Sequence, residues 1–198
     1  MVDPSLPVNA DVFTHIRVII GIVMGLSLAR LLTGLSRFTQ PSQKSKVCYV
    51  HIGWTLYLIL CLINFWWFQI RLSNVTVWSF EHYAFIFFYA ALFFFTCATL
   101  YPENMDNINR VDEYFLSRKT LFYGLIVAIN LTDVVDTYIK GDQYIKYLGV
   151  SYLIHIAIIS IPSLFIMRST TRLYHKIFVS FAILEQMMWI YFHYSSLA

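Results

Sequence analysis

The chain has 198 residues, of which 59% are hydrophobic and 13% are charged, and its mean hydropathy is +0.63. Soluble domains carry about 25% charged residues, so this composition excludes an ordinary soluble catalytic or signalling domain and indicates that lipid surrounds most of the chain. The net charge of +3 is small and dispersed along the sequence. A nucleic-acid partner, which would need a basic patch, is therefore excluded as well.

Six apolar runs follow one another along the chain, separated by short connections. A helix needs about 20 apolar residues to cross the hydrocarbon core of a bilayer. The predicted spans are 16–36, 48–70, 80–100, 119–139, 148–167 and 173–193. The sequence therefore predicts an all-α polytopic membrane protein with six transmembrane helices, in which residues 1–198 form one transmembrane domain. Because the connections leave no room for a soluble module, a non-enzymatic function is favoured.

Lysine and arginine are unevenly distributed between the two sets of loops. The side reached by the first, third and fifth connections carries Arg37, Lys44, Lys46, Arg110, Arg118, Lys119, Arg168, Arg172 and Lys176. The other side carries only Arg17, Arg71, Lys140 and Lys146. Cytoplasmic loops are enriched in these residues, so both termini are predicted to lie outside, in a plasma membrane or a bacterial inner membrane.

The first and fourth spans can be aligned without a gap. Their segments are "GIVMGLSLARLLTGLSR" (21–37) and "GLIVAINLTDVVDTYIK" (124–140), and spans two and five align at nearly the same offset. The halves 13–100 and 116–193 would then form two three-helix repeats of inverted topology, as in many transporters. The alternative is that the similarity arises by chance, because any two apolar helices can be aligned to a similar degree.

Small residues recur every four positions in the same two spans. They are Gly21, Gly25 and Ala29 in the first, and Gly124 and Ala128 in the fourth. Small residues at this spacing let helix backbones approach closely in lipid. We therefore expect spans one and four to cross at the centre of the molecule. The alternative is that one of the two stripes forms an interface between copies of the chain.

The same spans carry the charged residues Arg30 and Asp133, which occupy equivalent positions in the alignment. With a rise of 1.5 Å per residue, their Cα atoms would lie about 11 Å apart along the membrane normal. Both side chains would lean toward the midplane, because side chains tilt toward the helix N-terminus. Since an isolated charge near the bilayer centre costs about 2.5–3.5 kcal/mol, an ion pair between them is predicted. Whether it lines a polar path or only joins two helices stays open.

Four further polar residues are candidates for the same path. Asp136 is expected nearer the outer interface, in contact with water, and Glu185 is expected near the middle of span six; Asn64 and Asn130 lie in apolar runs. The sequence thus predicts a small channel or transporter for an ion, a proton or a small solute. Because six helices enclose little volume, we expect a homo-oligomer in the lipid bilayer.

Two other functions stay open. His51, His155, His82 and His175 are candidate haem ligands near the two membrane faces. Their arrangement resembles that of small b-type cytochromes, in which histidine pairs hold haem. No metal or cofactor motif accompanies them, so the favoured expectation is that no cofactor is bound. The second alternative is a non-catalytic scaffold whose short loops bind a partner subunit.

Overall fold

A computed structural model describes residues 8–38, 48–75, 78–101 and 111–194, which form six α-helices and no strand. The α-helices are α1 (Val8–Arg37), α2 (Tyr49–Phe68), α3 (Phe80–Leu100), α4 (Val111–Ile139), α5 (Asp142–Ile166) and α6 (Arg172–Tyr194); a 3-10 helix (Gln69–Asn74) follows α2. Within these ranges the all-α prediction is confirmed. Each predicted span overlaps one helix. α1, α4 and α5 begin six to eight residues earlier than the spans, because a helix continues into polar residues that hydropathy leaves out.

Five of the six helices in the described ranges are long and apolar enough to cross a membrane, namely α1 to α5. α6 is not among them, because Glu185, Gln186 and His193 lower its mean hydropathy. The helices therefore indicate a membrane-embedded protein, but the sixth span is not confirmed. Three of the cations used for the predicted orientation lie outside the described residues: Lys44, Lys46 and Arg110.

The helices pack in a ring whose order differs from the order of the chain. α3 lies between α1 and α4, and α5 packs on the other side of α4. α6 lies between α5 and α2. α2 packs on α1 and so closes the ring. α2 also contacts α3 and α4, and it carries the fully buried Trp54 and Leu58. This enclosed position of α2 makes it the central helix of the bundle.

α6 runs parallel to α2 along most of its length. Near the start of α2, a Cβ placed on Gly53 would lie 2.7 Å from the side chain of Val179, so the absence of a side chain is what lets the two helices meet. Near the other end, Phe68 and Trp189 belong to one buried cluster. The two helices therefore extend through the same thickness of the bundle.

The inverted repeat is not confirmed by this packing. A repeat would require the contacts among α1, α2 and α3 to recur among α4, α5 and α6. α1 packs extensively on α3, whereas the corresponding helices α4 and α6 share at most a marginal contact. Similarly, α3 packs on α4, but α6 does not pack on α1 to a comparable extent.

The expected crossing of α1 and α4 is not found either, because α3 separates the two helices. The face of α1 that enters the core is formed by larger residues: Ile16, Ile20, Met24 and Leu31. These side chains bury more apolar surface than glycine or alanine, and this burial sets the rotation of the helix.

The small residues consequently take other positions. Gly25, Ala29 and Gly124 are exposed, and a Cβ on either of those glycines would meet no atom within 4 Å. Gly21 faces Trp66 of α2, and Ala128 packs against the core from a half-buried position. An interface between copies of the chain along either stripe stays a prediction.

Candidate functional site at the Asp133 cavity

The bundle contains a partly open cavity of about 70 Å³, lined by residues of α2, α3, α4, α5 and α6. A buried water needs roughly 10–15 Å³ of such space, so there is room for about five waters or one small solute. The polar part of the lining includes Asn64, Gln69, Asn130, Asp133, Lys140 and Gln186. These residues lie toward the end of the bundle where α2 and α4 finish and α5 begins, which we call the cavity end.

Asp133 is the carboxylate that lines the cavity, and its described partners are neutral. Tyr89 of α3 donates a hydrogen bond to Oδ1 at 2.8 Å, and Tyr152 of α5 donates one to Oδ2 at 2.9 Å. The hydroxyl of Thr137 in turn donates to the Tyr152 oxygen at 3.1 Å. Within the described ranges no lysine or arginine pairs with Asp133. Its negative charge is therefore hydrogen-bonded but not neutralised.

Arg30 does not reach Asp133, so the predicted ion pair is not formed. Its Nη2 donates instead to the backbone carbonyl of Tyr101 at 3.0 Å. This carbonyl follows the last residue of α3, where a helix leaves carbonyl groups without partners inside the helix. A cation is favourable at such a terminus. Arg30 is therefore satisfied by α3, the helix that separates α1 from α4.

Asp136 is fully buried, contrary to the expectation that it meets water. Its Oδ2 forms an ion pair with Lys140 and accepts a hydrogen bond from Gln69 Nε2 at 3.3 Å. Lys140 lies one helical turn further along α4, and the i, i+4 spacing places the two side chains on one face. The ammonium group also lies 5.7 Å from the centre of the Tyr144 ring, within the range of a cation–π contact. The charge of Asp136 is thus matched.

Glu185 has a partner of its own on α5. His155 Nδ1 lies 2.7 Å from Glu185 Oε1, and the two side chains are mostly buried. The imidazole also stacks on Trp189 with ring centres 4.2 Å apart. His155 lines the cavity, whereas Glu185 is not among the lining residues. The predicted polar residues Asp133 and Glu185 therefore belong to neighbouring groups rather than to one contact.

Three polar atoms of the lining are buried without a hydrogen-bond partner. They are Asn64 Oδ1, Gln69 Oε1 and Gln186 Nε2. Gln69 and Gln186 are only 4% and 2% exposed. Buried polar groups in proteins almost always find a partner in the protein or in ordered water, so these atoms are positioned to bind water or a small solute in the cavity. Asn130 differs, because its Nδ2 donates to Ser160 Oγ at 2.9 Å.

α5 is broken beside the cavity. Gly149 has φ 62° and ψ −157°, outside the helical region, and Gly tolerates a positive φ at little steric cost. Leu148 and Tyr152 on either side of the break both line the cavity. Irregular backbone at membrane depth is tolerated only where it is buried in protein or lines a cavity. The position of the break therefore fits a site inside the membrane.

The opposite end of the bundle is filled with rings, and we call it the aromatic end. It is formed by Trp54, Phe115, Phe122, Tyr123, His175 and Phe178. The Trp54 ring lies 5.1 to 5.7 Å from the rings of Phe122, Tyr123 and Phe178. Trp54 and Tyr123 are completely buried. None of the six lines the cavity.

A polar pair within the aromatic end is fully satisfied. The Tyr123 hydroxyl lies 2.8 Å from His175 Nδ1, and His175 Nε2 lies 3.1 Å from the Ser169 carbonyl. A carbonyl only accepts, so Nε2 carries the proton and donates to it. Nδ1 then accepts from the tyrosine hydroxyl. Both nitrogens of this buried imidazole are consequently used.

The four candidate haem ligands have different surroundings in the bundle. Of these histidines only His155 lines the cavity, and His175 is engaged as described. His51 packs between Tyr101 and Phe115, while His82 lies in the first turn of α3. Among the described residues no three His, Cys, Asp or Glu side chains gather as metal ligands. His51 and His175 each lie 5.6 Å from the Phe115 ring, and haem binding by a pair of these histidines stays a prediction.

Several residues of the site were not singled out from the sequence. Lys140 carries a local signal, since it follows Asp136 at the i, i+4 spacing of helical ion pairs. Tyr89 and Gln69 carry none, because they reach the aspartates from 44 and 67 positions away in the chain. No family model, curated protein or solved structure matches this chain. Its function is therefore inferred from the geometry of the cavity.

Proposed function

We propose that the protein is a membrane transporter for a small cation or a proton, with the cavity beside Asp133 as its binding site. The observation that carries the proposal is a carboxylate without a cationic partner, lining a polar cavity within helices of membrane-spanning length. A charge inside a membrane is costly, and ionisable residues kept there usually mark ion or substrate pathways. The unmatched charge of Asp133 favours a positive cargo.

Two features favour a transporter over a channel. The cavity lies at one end of the bundle, and the rings of the aromatic end fill the other. Such a closed arrangement suits a site that opens to one side at a time. In addition, discontinuous helices form the binding sites of many transporters, and the break at Gly149 lies beside this cavity.

The proposal includes a sixth membrane crossing by α6. This helix runs parallel to α2 and exposes large apolar side chains at one helical spacing, with Leu184, Met188 and Phe192 exposed by 62%, 59% and 63%. An apolar stripe of this kind at the surface of a bundle suits contact with lipid. With six crossings both termini lie on the same side, as the sequence predicts.

The proposal is tested by flux measurements on the purified protein in liposomes. Gradients of Na⁺, K⁺ and H⁺ are imposed in turn, and uptake is followed with ion-sensitive dyes. We expect flux of at least one of these ions above that of empty liposomes, and a loss of tenfold or more in the Asp133→Asn variant. The control is Asp142→Asn, which neutralises an exposed carboxylate in the first turn of α5 and should leave the flux unchanged.

Two results would contradict the proposal. One is the absence of flux from folded protein with all three ions, which would favour the scaffold alternative. The other is a flux that Asp133→Asn and Asp142→Asn leave equally intact, since the ions would then pass somewhere else.

A further inference from the structure

We infer that the cavity binds a monovalent alkali-metal cation such as Na⁺, held beside Asp133 by oxygen atoms of α2, the 3-10 helix and α4. The inference names the cargo of the proposed transporter, and it rests on that function for its role in transport. It follows from the charges, the unpartnered oxygen atoms and the size of the cavity.

Asp133 is the carboxylate of the described cavity lining that has no cationic partner. Lys140, which also lines the cavity, is paired with Asp136, and Glu185 is hydrogen-bonded to the imidazole of His155. Asp133 receives hydrogen bonds only from two tyrosines. A monovalent cation would neutralise it, whereas a divalent cation would leave an excess positive charge in a poorly solvated interior, where uncompensated charge is strongly destabilising.

The unpartnered atoms indicate how the cation would be held. Asn64 Oδ1 and Gln69 Oε1 are buried acceptors without a donor, and both residues line the cavity with Asp133. A carboxylate has about four lone-pair positions, so Asp133 can accept from two tyrosines and still bind a cation. Hard cations take oxygen ligands of these three kinds, carboxylate, amide carbonyl and water.

Protonation of Asp133 is the competing explanation, and the same atoms argue against it. A proton would neutralise the carboxylate but would bind neither Asn64 Oδ1 nor Gln69 Oε1, which would then depend on water for a partner, whereas a cation binds both oxygens directly. A cation with a few waters uses all of these oxygens and fits a volume of about 70 Å³. The break at Gly149 adds backbone beside the cavity, and unwound backbone carbonyls bind coupling ions in other transporters.

The site is tested by the thermal unfolding of the full-length protein in detergent. Melting is followed in choline chloride and in LiCl, NaCl and KCl at equal ionic strength. A ligand that binds only the folded state raises the melting temperature as its concentration exceeds its Kd. We expect NaCl to raise the melting temperature by several degrees relative to choline chloride, with saturation.

Two variants connect the shift to the site, and one serves as a control. Asp133→Asn removes the charge, and Asn64→Leu removes an oxygen of the lining while leaving Asp133 and its tyrosines in place. Both should lose the sodium-dependent shift. Asp142→Asn should keep it, because that carboxylate is exposed. Two separate variants make the test independent of whether one of them folds poorly.

Two results would overturn the inference: equal melting in choline and in all alkali chlorides, or a full sodium shift in both cavity variants. Binding and transport can fail separately. A sodium shift without flux in liposomes would preserve the site and contradict the transporter. Proton flux without any sodium shift would preserve the transporter and contradict the cation site.

Discussion

The two ends of the bundle bury polar groups in different ways. At the aromatic end, Tyr123 and His175 satisfy each other among closely packed rings. At the cavity end, Asp133 keeps an unmatched charge, and two lining amide oxygens have no partner. Unpaired buried polar groups reduce stability, and proteins retain such exceptions mainly at functional sites. The aromatic end also holds an unpartnered atom, Trp54 Nε1, but that group is neutral, and the unmatched charge at the cavity end is the difference on which the proposed cation site depends.

The largest effect is expected from removing the cation of the buried ion pair. Lys140→Met leaves Asp136 buried with only Gln69 as a partner. Breaking a buried ion pair in this way costs about 3–5 kcal/mol of unfolding free energy. Thermal or denaturant unfolding in detergent would measure the loss. A loss of this size would indicate that Lys140 compensates the charge of Asp136, which leaves Asp133 as the carboxylate of the cavity lining without a cationic partner.

A double variant and a control complete that measurement. Lys140→Met combined with Asp136→Asn should recover most of the stability, because no unpaired charge is left. Lys146→Met, on the exposed side of α5, should have little effect. If the single and double variants were equally unstable, the two residues would not act as a pair.

A smaller loss is expected at the close approach of α1 and α3 near the aromatic end. A Cβ on Gly34 would lie 2.3 Å from the ring of Tyr101, which is 1% exposed and hydrogen-bonded to Thr55 at 2.6 Å. Because the ring cannot move away freely, Gly34→Ala should destabilise the protein by about 3 kcal/mol. Unfolding of the detergent-purified variant would measure this.

Gly25→Ala is the matched control on the same helix, since a Cβ there meets nothing within 4 Å. It should melt close to the wild-type protein. Equal melting of Gly25→Ala and Gly34→Ala would show that α1 is rotated differently, with the stripe of small residues against a neighbouring helix.

The fold was predictable where the sequence pattern is local. Apolar runs such as "FIFFYAALFFF" in α3 predict the positions of the helices, because a helix needs a known apolar length to cross a bilayer. The rotation of α1 was also present in the sequence, since Ile16, Ile20, Met24 and Leu31 recur at helical spacing. The spacing of the small residues predicts a different rotation, and the structure shows the larger side chains inside.

The partners of the site were not predictable in the same way. Asp133 was recognised because a carboxylate within an apolar run needs an explanation. Its tyrosines depend on the order of the helices in the ring, which the sequence does not reveal. The sequence predicts a side-chain partner for Arg30, but the observed partner is a backbone carbonyl 71 positions away. Because every residue has a backbone carbonyl, the sequence gives no signal for this contact. Long-range pairing of this kind follows from the packing alone.

The smallest effects compare one hydroxyl at each end of the bundle. Tyr123→Phe removes the donor to His175 Nδ1 in a region filled with rings, and a buried acceptor left unpaired costs about 2 kcal/mol. Tyr89→Phe removes a donor to Asp133, but water in the cavity can take its place, so the loss should be about 1 kcal/mol. Unfolding of both variants in detergent would measure the difference.

Tyr138→Phe serves as the control for these two variants, because its side chain is 65% exposed on α4 and its hydroxyl should contribute little. The comparison depends on which end admits water. An equal loss of stability in Tyr123→Phe and Tyr89→Phe would mean that no water reaches Asp133. A cavity without water would not fit the proposed site, because the cation is expected to keep some water ligands there. A larger loss at Tyr123 would instead show that the cavity end is open to water and small ions, as a binding site requires.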